Sequence, residues 1–438
     1  MSRALIVCLP AVIGLSALLP HPASRQRHSE LLTRIDSLVS ARVAADSFSG
    51  VVVIAGNGNT IYERASGIAN RETRAPMTID TKLQIASTTK LFTQIAIRQL
   101  EQQGRLALTD TLGKFLPQYH NARARSKVTV DQLLTHRSGI GSFWNAKFMA
   151  SRDRVRSVSD YVDLFQDDAL LFEPGTSEAY SNGGYVLLGA IIEQVSGQSY
   201  HDYLRDHVFR PAGMRNTVPY DSRVAGTSAA VGYTTQPLGP MPGDSRLAGS
   251  GPRPGYQAPS RPDTQLVLRH PGDSAHSVRQ GVGGMRLRIM GADGKELSAE
   301  EARAAVAQRQ SEPHARRPNT GFQPSMSGPA GDHYSTAGDF VKLAHALLNH
   351  VLLDSARTAE VLGTRYAAGG DFRASGGGPG VNAELSIFPN GEVVVALSNY
   401  DPPAATVIAE YIREGIAADG RAAVTASPPH GSRRAPSE

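Results

Sequence analysis

Residues 85–104 read IASTTKLFTQIAIRQLEQQG, and the fold is decided by how this stretch is read. Its apolar residues recur at helical spacing from Thr88 onward, and Gly104 is a natural stop. Ser87 and Lys90 are three residues apart at the start of that helix, so both side chains lie on one face and the ammonium can reach the hydroxyl. A serine hydroxyl is a weak nucleophile at neutral pH unless a base or proton acceptor stands beside it. The helix N-terminus adds a field that favours developing negative charge. Taken alone the pattern is weak, because a chain of this length should show roughly one such match by chance. The plainer reading makes Ser87, or a neighbouring threonine, a helix cap.

Two further stretches bear on that choice. Tyr180-Ser181-Asn182 follows the turn Phe172-Glu-Pro-Gly175 and precedes an apolar helix from Tyr185 to Val195. A tyrosine serves as a base only where a cation lowers its pKa, and Lys90 is the expected cation. Asn182 would hold the lysine and donate to a substrate carbonyl. The plainer alternative is a capped helix start with Tyr180 packed over a loop. The third stretch, Ser375-Gly376-Gly377-Gly378-Pro379-Gly380, stands just before a strand from Val381 to Phe388. Glycines there allow close approach of another chain, and free backbone N–H groups can line an oxyanion hole. A flexible loop leading into a hairpin is the alternative.

In this order the three motifs resemble the serine β-lactamase-like family, which includes class C β-lactamases, D-alanyl-D-alanine carboxypeptidases and related esterases. Phe48-Ser-Gly50, Leu133-Leu-Thr-His-Arg-Ser-Gly139, Pro211-Ala-Gly-Met214, Tyr334-Ser-Thr-Ala337 and Leu397-Ser-Asn399 look like further family blocks. The resemblance implies an α/β fold of the β-lactamase/transpeptidase type, with an antiparallel sheet flanked by helices, a mostly helical second domain, and the site between them. It implies Ser87 as the acylated nucleophile, Lys90 as its proton partner, Tyr180 as general base and Asn182 as a substrate-orienting group. Gly376 and Gly377 fall in the oxyanion strand, the backbone N–H groups of Ser87 and Gly377 forming the hole. The sequence departs from the pattern at Ala374, where relatives carry a histidine or lysine that helps bind a substrate carboxylate. Arg373 precedes it, but adjacent strand residues face opposite sides. The stretch from Leu353 to Ala374 is also short, so an edge strand beside the site is expected to be missing or rebuilt.

Around these motifs the chain divides readily. The 438 residues suggest two or three units, and a 40% hydrophobic content excludes wholesale disorder. Strands are expected at Phe48–Ala55 and Thr60–Glu63, with helices over His28–Ala45, Ala337–Leu353 and Ala404–Ala418. The α/β sheet domain should comprise 28–95 and 319–418, and the helical domain 96–235. Residues 236–318, rich in Gly, Pro and Ser at their start, form an insertion with one credible helix at Ser298–Gln310. A polar tail, 419–438, is expected to be disordered.

Composition excludes several classes. A net charge of +5, with arginine well in excess of lysine, offers no Lys-rich nucleic-acid patch. A single cysteine, Cys8, excludes a disulfide framework and a cysteine-based metal site, and the histidines show no metal-ligand spacing. Neither cofactor nor metal is expected. His136 reads as a loop-fixing residue rather than a catalytic one, since Lys90 and Tyr180 already fill the acid–base roles. Arg123, Arg125, Arg152, Arg154 and Arg156 read as a solvated face. Met1-Ser2-Arg3, the apolar run Ala4–Leu19 and Ala23 predict a signal peptide over 1–23 and a periplasmic or secreted product; the rival is an uncleaved N-terminal anchor. The expected function is that of an exported serine hydrolase acting on a small-molecule ester, amide or cell-wall peptide. The alternative is an impaired relative that binds cell-wall peptide or a protein partner.

Overall fold

The computed structural model describes residues 22–56, 58–221, 229–236 and 316–425. The expected signal peptide up to residue 21, the body of the 236–318 insertion with its Ser298–Gln310 helix, and residues 426–438 lie outside them.

Helix α1 (Pro22–Ala44) leads into strand β1 (Gly50–Gly56), and the hairpin returns through β2 (Asn59–Ser66). The rest of the sheet comes from the far end of the chain: β3 (Phe372–Gly378), β4 (Val381–Ile387) and β5 (Val393–Ser398). The order across the sheet is β2-β1-β5-β4-β3, with every pair antiparallel. Helix α1 covers the expected His28–Ala45 segment except its last residue and begins earlier, at Pro22.

Strand β1 is buried on both faces, so its side chains sort by alternation into two cores. Val52 and Ile54 join Leu31, Ile35 and Val39 of α1 and Ile408, Ala409 and Ile412 of the closing helix α6 (Ala404–Thr425). Val51 and Val53 face a larger core built with Phe92, Phe340 and Leu385. The sheet is therefore sandwiched between helices, as the resemblance implied. Helix α6 continues to Thr425, so the start of the expected disordered tail is helical.

Three more helices position the site. Helix α2 (Thr89–Gln102) is buried along most of its length, which suits its apolar sequence. Helix α3 (Asn182–Ser196) starts on the Ser181 hydroxyl, which accepts from the Gly184 N–H at 2.8 Å, and ends on left-handed Gly197. Helix α4 (Ala337–Leu348) is capped by Thr336 and stops short of the expected Leu353. A further helix, α5 (Ser355–Ala367), occupies the segment judged short, and the edge strand after it is complete. Strand β3 pairs with β4 over Phe372–Gly378, so no edge strand is missing.

The borders of the insertion meet. Tyr233 and Thr234 pair with Pro318 and Arg317, so the chain departs toward residue 237 and returns at 316 in one place. Asn319, Phe322 and Gln323, directly after that point, line the pocket described next.

Candidate active site

Ser87 occupies a 3-10 turn, Ala86–Thr88, that feeds into α2. Neither the turn nor the helix has a side-chain cap, which removes the plainer reading of this motif. The turn is tight: Ala86 has φ +43°, and the Thr88 hydroxyl donates to the Ile85 carbonyl at 2.6 Å. A left-handed alanine is strained, and such strain persists only where surrounding contacts enforce it. Here the strain holds the Ser87 side chain out of the helix and into a pocket of about 310 Å³.

Two groups converge on the Ser87 oxygen. The Tyr180 hydroxyl donates to Ser87 Oγ at 2.7 Å, and Lys90 Nζ donates to it at 3.2 Å. Lys90 also donates to Asn182 Oδ1 at 2.8 Å and to the carbonyl of Ala330, so its three protons are all committed. The ammonium lies 4.8 Å from the centre of the Tyr180 ring. The structure thus brings together Ser87 and Lys90 from one segment with Tyr180 and Asn182 from another, 90 residues away in the chain.

Their protonation differs from the expectation. Burial is the largest influence on Lys90 and brings its pKa down to about 7, opposed by the nearby Asp332 carboxylate. Burial raises the Tyr180 pKa, the hydrogen bond to Ser87 opposes that rise, and Asp332 adds to it. Tyr180 was expected to be lowered by the lysine; loss of solvent at its hydroxyl raises it instead, although the residue as a whole is 55% exposed. At neutral pH the phenol is a proton donor, and the amine is the group with a ready unprotonated form.

His136 serves the loop. Its Nδ1 accepts from the backbone N–H of Ser181 at 3.1 Å, and its ring lies 4.8 Å from that of Tyr180. Burial brings its pKa down to about 4, with Lys90 reinforcing the fall, so it stays neutral and fixes the position from which Tyr180 projects. Of the arginines read as solvated, Arg123 pairs with Glu173 at the surface, while Arg152 donates to the Met149 carbonyl.

The glycine run is strand, not loop. Gly376 sits where any side chain would strike the nucleophile turn: a Cβ there would come 2.4 Å from the Ile85 carbonyl oxygen and 3.0 Å from Ser87 N. Glycine is disfavoured in strands by its own entropy, and its presence here is explained by this close approach. Gly377 and Gly378 line the pocket beside Ser87. Ala374, two residues before Gly376, shares its side of the strand and presents only a methyl group to the core on that side. Arg373 faces the other way, donating from Nε to Asp371 Oδ2 at 2.7 Å. It does not replace the missing cation.

Asp332 was not found from the sequence. It lines the pocket in the loop that also supplies the Ala330 carbonyl, and burial raises its pKa to about 6 while Lys90 opposes the rise. Its position near the Tyr334-Ser-Thr-Ala337 block carried no local signal for it. Among the described residues, no group of three or more His, Cys, Asp or Glu converges as metal ligands would. Nor is any helix among them long and apolar enough to cross a membrane.

With this geometry in hand, relatives can be placed. The Beta-lactamase family model matches residues 35–415, and the chain belongs to that family of serine hydrolases. A penicillin-binding protein of Bacillus subtilis (strain 168) is 35% identical over 182 residues, covering 41% of this chain and 39% of that protein. The chain thus aligns with about two fifths of that curated relative's length. Among solved structures, a penicillin-binding protein from Bacillus halodurans superposes with a TM-score of 0.61 at 24% identity, covering 86% of this chain and 98% of its own. The D-amino acid amidase of Ochrobactrum anthropi SV3, complexed with L-phenylalanine amide, gives 0.59 at 21% identity, covering 92% and 99%. These two likenesses establish the β-lactamase/transpeptidase-like fold.

Proposed function

We propose that this chain is an exported serine hydrolase that cleaves an ester or amide through an acyl-enzyme on Ser87. The observation that carries the reading is the convergence of Lys90 Nζ and the Tyr180 hydroxyl on one serine oxygen, at 3.2 and 2.7 Å. Lys90 in its neutral form takes the Ser87 proton as Oγ attacks the substrate carbonyl carbon. The resulting oxyanion faces the backbone N–H groups of Ser87 and Gly377. As the intermediate collapses, the carbon–leaving-group bond breaks, and the leaving oxygen or nitrogen is protonated by Tyr180, which recovers a proton from Lys90. Water then attacks the acyl carbonyl, giving a proton back along the same pair and freeing Ser87. Asn182 orients the lysine through Oδ1.

The pocket tilts the substrate preference. With alanine at position 374 and Arg373 engaged by Asp371, no Lys or Arg among the described residues lines the pocket to hold a substrate carboxylate. A small neutral ester should therefore be turned over faster than a penicillin or a peptide ending in a free carboxylate. The relatives include penicillin-binding proteins and an amidase, both consistent with attack on an acyl carbonyl.

Intact-mass labelling with a fluorophosphonate, beside Ser87→Ala, tests the nucleophile. One adduct on the wild type and none on the variant supports the hydrolase reading. A folded wild type that takes no adduct would replace it with that of a binding protein for cell-wall peptide or a protein partner. Efficient penicillin hydrolysis would overturn the preference for neutral esters.

A further inference from the structure

The loop Pro329–Asp332 lies against the turn that carries the nucleophile. Ala330 accepts from Lys90, and a Cβ on Gly331 would lie 3.5 Å from the Ala86 carbonyl oxygen. The next residue, Asp332, has φ +74°, a conformation that glycine adopts freely and that aspartate, like asparagine, adopts at a modest cost. A cost retained at a pocket wall calls for a reason in the side chain.

The side chain is also oriented. Asp332 Oδ1 accepts from Gln84 Nε2 at 3.0 Å. Gln84 is itself locked, its Oε1 accepting from Asn319 Nδ2 at 3.3 Å and from Gln323 Nε2 at 3.1 Å. Those two amides leave the Gln84 NH2 group to face Asp332. Among the described residues the second carboxylate oxygen has no hydrogen-bond partner, and Asp332 has no ion pair. Lys90 does not fill that role, because its three protons are already held by Ser87, Asn182 and Ala330.

Among the described residues, Asp332 is the only charged side chain lining the pocket, which also contains Trp144. An aromatic ring and a carboxylate in one small cavity attract a cation, and a low-dielectric wall strengthens the attraction. We propose that Asp332 is a specificity-determining residue that receives an ammonium group of the substrate, so that the enzyme prefers esters and amides whose acyl part carries a free amine near the scissile carbonyl. This deepens the hydrolase reading and rests on it.

The test compares the methyl ester of alanine, as both enantiomers, with methyl isobutyrate, in which a methyl group replaces the ammonium. Their kcat/KM ratio is measured at pH 7 for the wild type, Asp332→Asn and Asp332→Gly. Dividing the variant ratio by the wild-type ratio cancels the esters' intrinsic reactivity. Asparagine and glycine both tolerate a left-handed backbone, so fold is preserved on independent grounds and is checked by circular dichroism. Both variants should lower the ratio by about tenfold or more, the loss falling on the alanine esters. An unchanged ratio overturns the proposal. So does an equal fall for both esters with a displaced pH profile, because Lys90, Tyr161, Tyr180 and Tyr334 all sense this carboxylate and Asp332 would then act through them. A wild type that hydrolyses isobutyrate but not the alanine esters overturns the specificity alone. One that hydrolyses neither and takes no fluorophosphonate adduct overturns the hydrolase reading as well.

Discussion

Replacing Gly376 by alanine should disable the site while leaving most of the protein folded. The added Cβ would meet Ile85 O at 2.4 Å, Thr88 N at 2.9 Å and Ser87 N at 3.0 Å, all backbone atoms with no rotamer to escape into. An ordinary carbon–oxygen contact is near 3.3 Å, so strand and turn must separate by roughly 1 Å, because tightly packed interiors cannot absorb the overlap locally. Overpacking of this kind costs about 1–3 kcal/mol. The catalytic loss should be larger. A shift of about 1 Å in reacting groups can cost about 100-fold, and loss of an oxyanion donor costs about 100- to 1,000-fold in kcat. Thermal melts and steady-state hydrolysis of a neutral ester would separate the two effects. Gly378→Ala is the comparison: its Cβ would meet only Val381 Cγ1 at 3.5 Å, an ordinary contact, and its melting temperature should match the wild type. Wild-type turnover by Gly376→Ala would refute the argument that this glycine exists to bring the edge strand onto the Ser87 turn.

Lys90→Met should abolish turnover yet raise the melting temperature at neutral pH. The fall in its pKa from 10.5 to about 7 corresponds to a burial cost of about 5 kcal/mol, partly offset in the variant by lost hydrogen bonds. Because the folded state binds its proton less tightly than the unfolded chain, wild-type stability should rise between pH 7 and 9.5, and the variant should lose that slope. The same ionisation predicts that wild-type kcat rises as pH passes through about 7, the amine being the active form; a flat profile from pH 6 to 8 would count against Lys90 as base. Tyr180→Phe, which removes the donor 2.7 Å from Ser87 Oγ, should lower kcat by about 100- to 10,000-fold with little change in melting temperature, checked by ester kinetics and calorimetry. Gly189→Ala would place a Cβ 2.1 Å from Pro329 Cγ and should displace the loop carrying Ala330 and Asp332, giving a loss of activity measurable in the same assay.

Much of the site was legible before any coordinates. Ser87 and Lys90 announce themselves because three residues along a helix return to one face, a purely local relation. The Tyr180–Asn182 motif was legible only beside the other two, because a capped helix start, which Ser181 does provide, was also its plainer reading. The opposite facings of Arg373 and Ala374 likewise follow from strand alternation alone. The glycine run was harder, since glycine argues against a strand; the reason it is one lies in the turn of Ala86–Thr88, nearly three hundred residues earlier in the chain.

What the sequence by itself determined is the family, the order of the motifs, the two-sided burial that makes β1 a central strand, and the residues able to do acyl chemistry. Only the tertiary structure decided their ionisation and the character of the pocket. The Lys90 pKa depends on how completely helices and strands from distant segments exclude water around it, and local pattern does not encode that exclusion. Asp332 lies 242 residues from Lys90 in the chain and beside it in space. Its role follows from which partners already hold the lysine's protons and which carboxylate oxygen remains open, and those are properties of packing rather than of residue order.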